Sequence, residues 1–209
     1  MKTTTIMLTT AIALIGLSAA AQNKTQGKVT YENTINIHAS LKPDQLQFKD
    51  MLPEFSTFKE ELYFNDKKTK ITSKSPEDQE SDGVTLKMSK NDEGDIYSDG
   101  TQAGTYSVIE KEGKYTATKI KAKKEAEEKL GTKKKTILGF ECTEVIAGEK
   151  TLWVTPLLPF RVGPSGSLSK HGAILGIEEG KKLKAYATAI NYVPVKIEEV
   201  TLPAGTVIK

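Results

Sequence analysis

Short segments that alternate apolar and polar residues, separated by turn-forming residues, recur along most of this chain. In residues 28–38, KVTYENTINIH, the apolar side chains Val29, Tyr31 and Ile35 share one parity, which is typical of a strand with one buried face. Turn signals such as Asp99-Gly100 recur about every ten residues, a spacing that indicates an antiparallel sheet. The segments with this strand pattern are 28–38, 57–65, 67–74, 84–90, 94–99, 104–111, 114–120, 134–146, 150–156, 173–180, 181–193 and 195–202.

Two segments depart from this alternation and predict short helices. In residues 42–58, Leu46, Met51, Leu52 and Phe55 are spaced more like a helix, and Pro53 limits it to two or three turns. Residues 121–131, KAKKEAEEKLG, place lysines and glutamates four apart, as on an exposed helix, and the arm of a hairpin is the alternative for this segment. Residues 75–83 are polar without periodicity and predict an exposed loop. The sequence therefore predicts a mainly β (β-rich α+β) protein with one or two small helices.

The first residues predict an export signal. Lys2, a mostly apolar run over residues 6–17 and small residues before Gln22 indicate a signal peptide over 1–21, cleaved after Ala21 or, alternatively, Ala20. The run is too short to span a bilayer, and no cysteine follows it to carry a lipid. We therefore expect residues 22–209 to form a single β-rich domain that is soluble and exported. No sorting domain is recognisable near Lys209, which favours retention in the periplasm.

Charge and cysteine content argue against several classes of function. Thirty basic and 27 acidic residues give a formal net charge of +3, a balance that argues against a nucleic-acid partner. Cys142 is the only cysteine, so neither an intramolecular disulfide nor a zinc site of several thiolates is expected. Its apolar neighbourhood, in which Ile137, Phe140, Val145 and Ile146 are expected to face the core, predicts a buried thiol that packs as a small apolar group.

Residues 161–182, RVGPSGSLSKHGAILGIEEGKK, partly match three catalytic motifs. Gly163 and Ser165 begin G-x-S-x-G, but Ser167 stands at the fifth position. The stretch GIEEGKK has three residues between its glycines, one fewer than a P-loop requires. Ser167 and Lys170 fit S-x-x-K, yet the further motifs of serine–lysine enzymes are missing. We expect a structural connection into a buried strand, with bends at Gly163-Pro164 and Gly172.

The two histidines and the acidic pairs also give no predicted site. Ser165, Ser167 and Ser169 precede His171 closely, and Glu178 or Glu179 are possible partners, but nothing in the sequence fixes a catalytic arrangement. His171 and His38 are predicted to be surface or turn residues, and Glu178 and Glu179 to point to opposite faces of a strand. The acidic stretch 91–95 fits a hairpin turn better than a Ca²⁺ loop. No catalytic residue, cofactor or metal is predicted, and any role of His171 or Cys142 is left open.

One stretch resembles a known family. Trp153, Thr155, Leu158-Pro159, Gly163-Pro164, Gly172, Ile174 and Leu175 fall on the signature of the GLPGLI family, exported proteins of Bacteroidota. Upstream, Lys135, Ile137, Gly139, Phe140 and Cys142 match a segment shared with related exported domains of unknown function. The chain departs from the signature at Ser169-Lys170-His171 and at Ala173. The resemblance implies a LolA/LolB-like architecture, a curved antiparallel sheet or half-barrel that half-wraps small helices, and implies no catalytic residues.

These observations favour a non-catalytic binding module over an enzyme. A half-barrel with an apolar face suits an apolar ligand, such as a lipid or a lipoprotein. Leu46, Phe48, Met51 and Leu52 of the predicted helix are candidates to plug or cover that face, and Phe55, Phe58, Tyr63 and Phe64 to line it, with plain core packing as the alternative for each. The alternative function is an accessory or structural protein of the cell envelope that binds another protein through an edge strand or loop.

Overall fold

The computed structural model describes residues 24–74, 79–81, 84–86, 94–120 and 127–209, so the predicted signal peptide and its cleavage point lie outside the described residues. Strands dominate, in agreement with the predicted fold class. They are β1 (Gln26–Asn36), β2 (Phe55–Asn65), β3 (Lys68–Lys74), β4 (Gln79–Ser81), β5 (Val84–Leu86), β6 (Asp95–Ser98), β7 (Thr105–Lys111), β8 (Lys114–Lys119), β9 (Glu128–Ile137), β10 (Phe140–Ala147), β11 (Lys150–Thr155), β12 (Ala173–Glu179), β13 (Leu183–Asn191) and β14 (Val207–Ile208).

Twelve of these strands form one open, curved sheet. Its order is β14-β8-β7-β6-β3-β2-β1-β13-β12-β11-β10-β9, and β4 pairs separately with β5. Neighbours are antiparallel except β14 and β8, which are parallel. The centre of the sheet pairs an early strand with a late one, because β1 lies beside β13 and places Val29 opposite Ile190.

The main core lies between the central strands and the connection from β11 to β12. Val29, Tyr31 and Leu62 point inward from β1 and β2 and are fully buried. We call residues 156–172, the connection between β11 and β12, the covering loop. Its Phe160 stacks on Phe64 of β2 with ring centroids 4.9 Å apart, and its Val162 is completely buried. The covering loop therefore supplies core residues to a face of the sheet that would otherwise be exposed.

Helical structure is short and lies between β1 and β2. It comprises α1 (Ile37–Ser40) and a 3-10 helix (Pro43–Met51), which lies where the sequence predicted a helix of two or three turns limited by Pro53. We call residues 37–54 the helical arm. Phe55, whose spacing fitted the helix, instead begins β2, because residue 55 onward pairs with β1. The two further short 3-10 turns are Pro164–Gly166 and Ile197–Val200.

Other boundaries differ from the predictions where pairing overrides local pattern. The segment 134–146 is not one strand but the hairpin of β9 and β10, which turns at Leu138 and Gly139 with φ of 50° and 83°. For the segment 121–131 the helix is wrong over residues 128–131 and the alternative of a hairpin arm is correct there, because these residues lie in β9, which pairs with β10; residues 121–126 lie outside the described ones. Within the predicted loop 75–83, residues 79–81 form β4.

Two further predictions near the ends of strands are also wrong. The segment 195–202 contains a 3-10 turn (Ile197–Val200) rather than a strand, and Val195 and Val200 are both buried without pairing in the sheet. Ile146, expected in the core, is 43% exposed, since its neighbour Val145 occupies the buried position on β10. By contrast Ile137, Cys142 and Val145 are buried as predicted, and Phe140 is half-buried.

Candidate apolar binding site

The helical arm leaves and rejoins the sheet at one point. The Ile37 amide donates to the Glu54 carbonyl at 2.8 Å, and Nε2 of His38 lies 2.8 Å from the Leu52 carbonyl oxygen. The Asn36 side chain caps α1 by accepting from the Ala39 amide at 2.8 Å. These bonds fix the base of the arm, and they place His38 as a half-buried residue that ties a turn together.

The arm beyond this base is exposed although it is rich in apolar side chains. No residue of α1 or of the 3-10 helix is buried. Leu46 is 53% exposed, Phe48 47% and Met51 66%, and Phe55 at the start of β2 is 50% exposed. The arm therefore does not plug the sheet as the sequence suggested, because the covering loop already occupies that face.

The 3-10 geometry sorts the arm into three rows, since residues three apart eclipse one another. Gln45, Phe48 and Met51 form one row, and Pro43, Leu46 and Lys49 form the second. The third row is wholly polar and consists of Asp44, Gln47 and Asp50. The apolar side chains thus share two of three faces, and both acids of the 3-10 helix lie on the remaining one.

Residues of the arm line one side of an open pocket, and this lining is almost entirely apolar. Its volume is about 320 Å³, and it is lined by Leu41, Gln45, Phe48, Met51 and Leu52. That volume lies at the lower end of the range of small-molecule sites, which combine apolar walls with few polar groups. Gln45 is the single polar liner, and its Oε1 accepts from the Lys42 amide at 3.1 Å. The arrangement can hold an apolar group and carries no reactive group of its own.

The four aromatic residues expected to line an apolar face do not share one. Phe58 and Phe64 have the parity of the buried residues Glu60 and Leu62, whereas Phe55 and Tyr63 have the opposite parity on the same strand. Phe64 is fully buried against Phe160, and Tyr63 packs beneath the Lys28 ammonium, 5.9 Å from the ring centroid. Of the four, Phe55 alone is an exposed residue next to the arm.

A buried carboxylate anchors the covering loop to the sheet. Glu60 of β2 is only 3% exposed, and it accepts from the Ser165 amide at 3.0 Å and the Ser165 hydroxyl at 3.1 Å. Ser73 of β3 donates a third hydrogen bond at 3.3 Å. Ser165 itself has a left-handed backbone with φ of 53°. The serine that resembled a nucleophile is therefore a structural anchor.

Burial makes the charged form of this anchor costly. Desolvation raises the pKa of Glu60, although the hydrogen bonds from Ser165 and Ser73 act in the opposite direction. These donors favour the carboxylate, but burial outweighs them. Folding therefore disfavours loss of the Glu60 proton.

A second carboxylate binds the other end of the covering loop. Glu128 of β9 accepts from the Ser169 hydroxyl and from the Lys170 amide, both at 3.2 Å, and its Oε2 lies 3.6 Å from Nε2 of His171. His171 does not bridge Ser169 and the acid, as a catalytic base would, because Ser169 bonds the carboxylate directly. His171 thus lies beside a loop attachment. The sequence did not identify Glu128, which it placed in an exposed helix or a hairpin arm, as the acid that holds the loop.

The glycines of the covering loop permit close backbone packing. Gly172 has φ of 142°, and a Cβ there would collide with the Thr155 carbonyl oxygen. Gly163 lies against the side chain of Ile174 in β12. After these bends Ile174, Leu175 and Ile177 are buried, so the predicted structural connection into a core strand is confirmed.

The remaining candidate residues do not converge on a reactive site. Cys142 is fully buried, and burial raises its pKa to about 11, which keeps it a neutral thiol. Glu178 contacts Lys135 at 3.1 Å, whereas Glu179 contacts Lys150 at 3.8 Å. Asp95 pairs with Lys70 at 2.9 Å, and residues 91–93 of the same acidic stretch lie outside the described part.

Lys135 and Trp153, two residues on which the family resemblance rests, lie in one side-chain cluster. Their positions in the sequence did not predict this contact. The Lys135 ammonium lies 4.6 Å from the ring centroid of Trp153 and 4.7 Å from that of Tyr186. The same ammonium contacts the Tyr186 hydroxyl at 2.7 Å, and the Trp153 indole donates to Glu178 at 3.3 Å. Because Lys135 occupies the space between both rings, the cluster joins β9, β11, β12 and β13 rather than forming an open site.

Two negative findings apply to the described part of the chain. None of its helices is long and apolar enough to cross a membrane. Nowhere within it do three or more His, Cys, Asp or Glu side chains come together as a metal site.

Comparison with known proteins identifies the fold and a family. Two solved structures of PNGF-II, in space groups C2 and P21, are similar, with TM-scores of 0.58 and 0.51 and 14% sequence identity. In both cases the match covers 88% of this chain but 31% of the other, so the chain spans about a third of that protein, and the likeness concerns the fold alone. No curated protein matches. The family model described as "Domain of unknown function (DUF4412)" matches residues 45–157, more than half of the sequence, and the chain therefore belongs to the DUF4412 family.

Proposed function

We propose that this protein is a non-catalytic module that binds an apolar ligand, such as the acyl chain of a lipid or lipoprotein, in the pocket of the helical arm. The observation that carries the proposal is the 320 Å³ pocket, which is lined by four apolar side chains and one glutamine. Exposed apolar residues clustered on one surface of a protein mark binding sites for ligands or partners.

Other features support this proposal over a catalytic one. Ser165 and Ser169 of the covering loop serve its attachment, and Cys142 is a buried neutral thiol. The sequence resemblance to exported GLPGLI proteins, with its implied LolA/LolB-like architecture, is consistent with a periplasmic carrier of apolar groups. Export and periplasmic retention are part of the proposal, on the strength of residues 1–21.

Direct binding of a fluorescent fatty acid tests the proposal. Dansyl-undecanoate titrated into the exported protein is expected to gain fluorescence and saturate near one site per chain. Leu41→Asp, which puts a charge into the pocket lining, is expected to weaken this binding at least tenfold. Leu157→Asp is the matched control, because Leu157 is 70% exposed and belongs to the covering loop, and it should bind as the wild type does.

A second measurement separates the proposed function from the envelope-accessory alternative. Solvent extraction of the protein purified from its host periplasm, followed by mass spectrometry, is expected to release an apolar molecule near a one-to-one ratio. No apolar molecule, no dansyl-undecanoate binding and a stoichiometric envelope protein in the same preparation would favour the accessory role instead.

A further inference from the structure

The three rows of the helical arm also separate the charges. Lys49 lies on one apolar row with Pro43 and Leu46, and Lys42 precedes the first residue of the helix. One lysine therefore lies on an apolar row and one at the end of the helix, whereas the acids Asp44 and Asp50 lie together on the third row. An α-helical reading of the sequence spreads these residues around the axis, so the separation emerges only with the 3-10 geometry.

We infer that the arm docks on the surface of a phospholipid bilayer, with Leu46, Phe48 and Met51 inserted at the interface. Helices that lie in a membrane surface bury an apolar side and keep lysines at its margin, where the ammonium groups reach lipid phosphates. The acidic row then faces water. Phe55, next to the base of the arm and 50% exposed, extends the inserted surface.

The size of the patch favours a bilayer over a protein partner. A fully buried aromatic side chain covers about 150–250 Å². The four half-exposed side chains Leu46, Phe48, Met51 and Phe55 together therefore present no more than about 400 Å². A stable protein interface needs about 800 Å² on each partner, about twice that area. A bilayer sets no such minimum, because single side chains can enter it independently.

The docking surface and the proposed pocket share Phe48 and Met51, but each also has a residue that the other lacks. Leu46 is exposed and does not line the pocket, whereas Leu41 lines the pocket and is only half-exposed. The inference extends the proposed function, since docking would bring the pocket to its ligand. It can nevertheless fail or stand separately from ligand binding.

Vesicle flotation of the exported protein tests the inference, with its N-terminus checked by mass spectrometry so that an uncleaved apolar segment does not contribute. The wild type is expected to float with phosphatidylcholine vesicles and to bind more tightly when phosphatidylglycerol is added, by about fivefold for each lysine near the surface. Leu46→Asp is expected to reduce vesicle binding at least tenfold while dansyl-undecanoate binding stays unchanged.

The control is Gln47→Asp, which adds the same charge to the same helix but on the acidic row. It is expected to bind vesicles as the wild type does. Equal loss in Gln47→Asp and Leu46→Asp, or no flotation of the wild type with either vesicle, overturns the inference. Recovery of a stoichiometric protein partner that Leu46→Asp releases, without any flotation, assigns the patch to that partner instead.

Discussion

The covering loop and the helical arm are irregular connections of similar length, and both are rich in apolar residues, yet they use them in opposite ways. Leu158, Phe160 and Val162 of the covering loop are buried in the core, and two carboxylates hold its backbone. The arm is fixed only at its base and buries none of its helical residues. The apolar residues of the loop stabilise the fold, and those of the arm remain available to something outside it.

The largest expected effect comes from truncating the same residue type in both regions. Phe160→Ala should lower the free energy of unfolding by about 3–5 kcal/mol, because Phe160 is buried against Phe64 and leaves a cavity. Phe48→Ala in the arm should change it by no more than about 0.5 kcal/mol. Urea unfolding followed by the fluorescence of Trp153, the single tryptophan, measures both. Similar losses of unfolding free energy for the two variants would mean that the arm contributes to the stability of the fold as the covering loop does.

A backbone substitution should show how tightly the covering loop packs. Gly172→Ala is expected to cost more than about 1 kcal/mol of unfolding free energy, because its Cβ meets the Thr155 carbonyl oxygen and φ is 142°. Gly180→Ala is the matched control, since Gly180 also has a positive φ but no atom within 4 Å of an added Cβ. The same urea experiment should rank Gly172→Ala as clearly the more destabilising of the two.

The attachment of the covering loop through Glu60 should depend on pH. The folded state raises the pKa of this carboxyl, so its contribution to stability is fully present below the unfolded value of about 4.5 and is lost as pH rises through the higher folded value. Glu60→Gln removes this term and should gain stability relative to the wild type as pH rises from the unfolded value to neutrality. Unfolding free energies across that range check the trend.

An exposed acid provides the reference for that measurement. Glu110 lies exposed on β7, so Glu110→Gln should follow the wild type at each pH. A pH trend in Glu110→Gln as large as that in Glu60→Gln would mean that the loop anchor does not cause it.

The smallest expected effect on stability belongs to the arm. Leu46→Asp should leave the free energy of unfolding within about 0.5 kcal/mol of the wild type, because Leu46 is 53% exposed and packs into no core. This result also separates loss of vesicle binding from loss of folding. A large drop in stability would show that the arm packs more firmly than its exposure indicates.

The strands were predictable because one face of each is buried, and apolar and polar residues therefore alternate along the sequence of each strand. β1, β2 and β7 begin and end within a few residues of their predicted bounds. The β9–β10 turn was missed because Leu138 and Gly139 adopt the positive φ angles that asparagine or aspartate before glycine usually signals. The charge spacing of the first residues of β9 left a helix and a hairpin arm open, and only the pairing with β10 makes them a strand.

The candidate site was partly predictable. Leu46, Phe48, Met51 and Leu52 were recognised as a group from their apolar character and spacing. The sequence did not indicate that the covering loop would fill the sheet and leave the arm exposed, because that depends on Phe160 meeting Phe64 from 96 positions away. Glu60 was likewise passed over, since nothing local marks an acid that will be buried beneath Ser165.

The pairing of β1 with β13 has a consequence for the order of events during synthesis. Val29 pairs with Ile190, and Glu60 accepts from Ser165, so each contact needs a residue that is synthesised much later. Neither the centre of the sheet nor its cover can therefore form until most of the chain has been made. Contacts this distant in sequence slow folding. The sheet is therefore expected to lack its central pairing until β13 has been synthesised, and its cover until Ser165 has been.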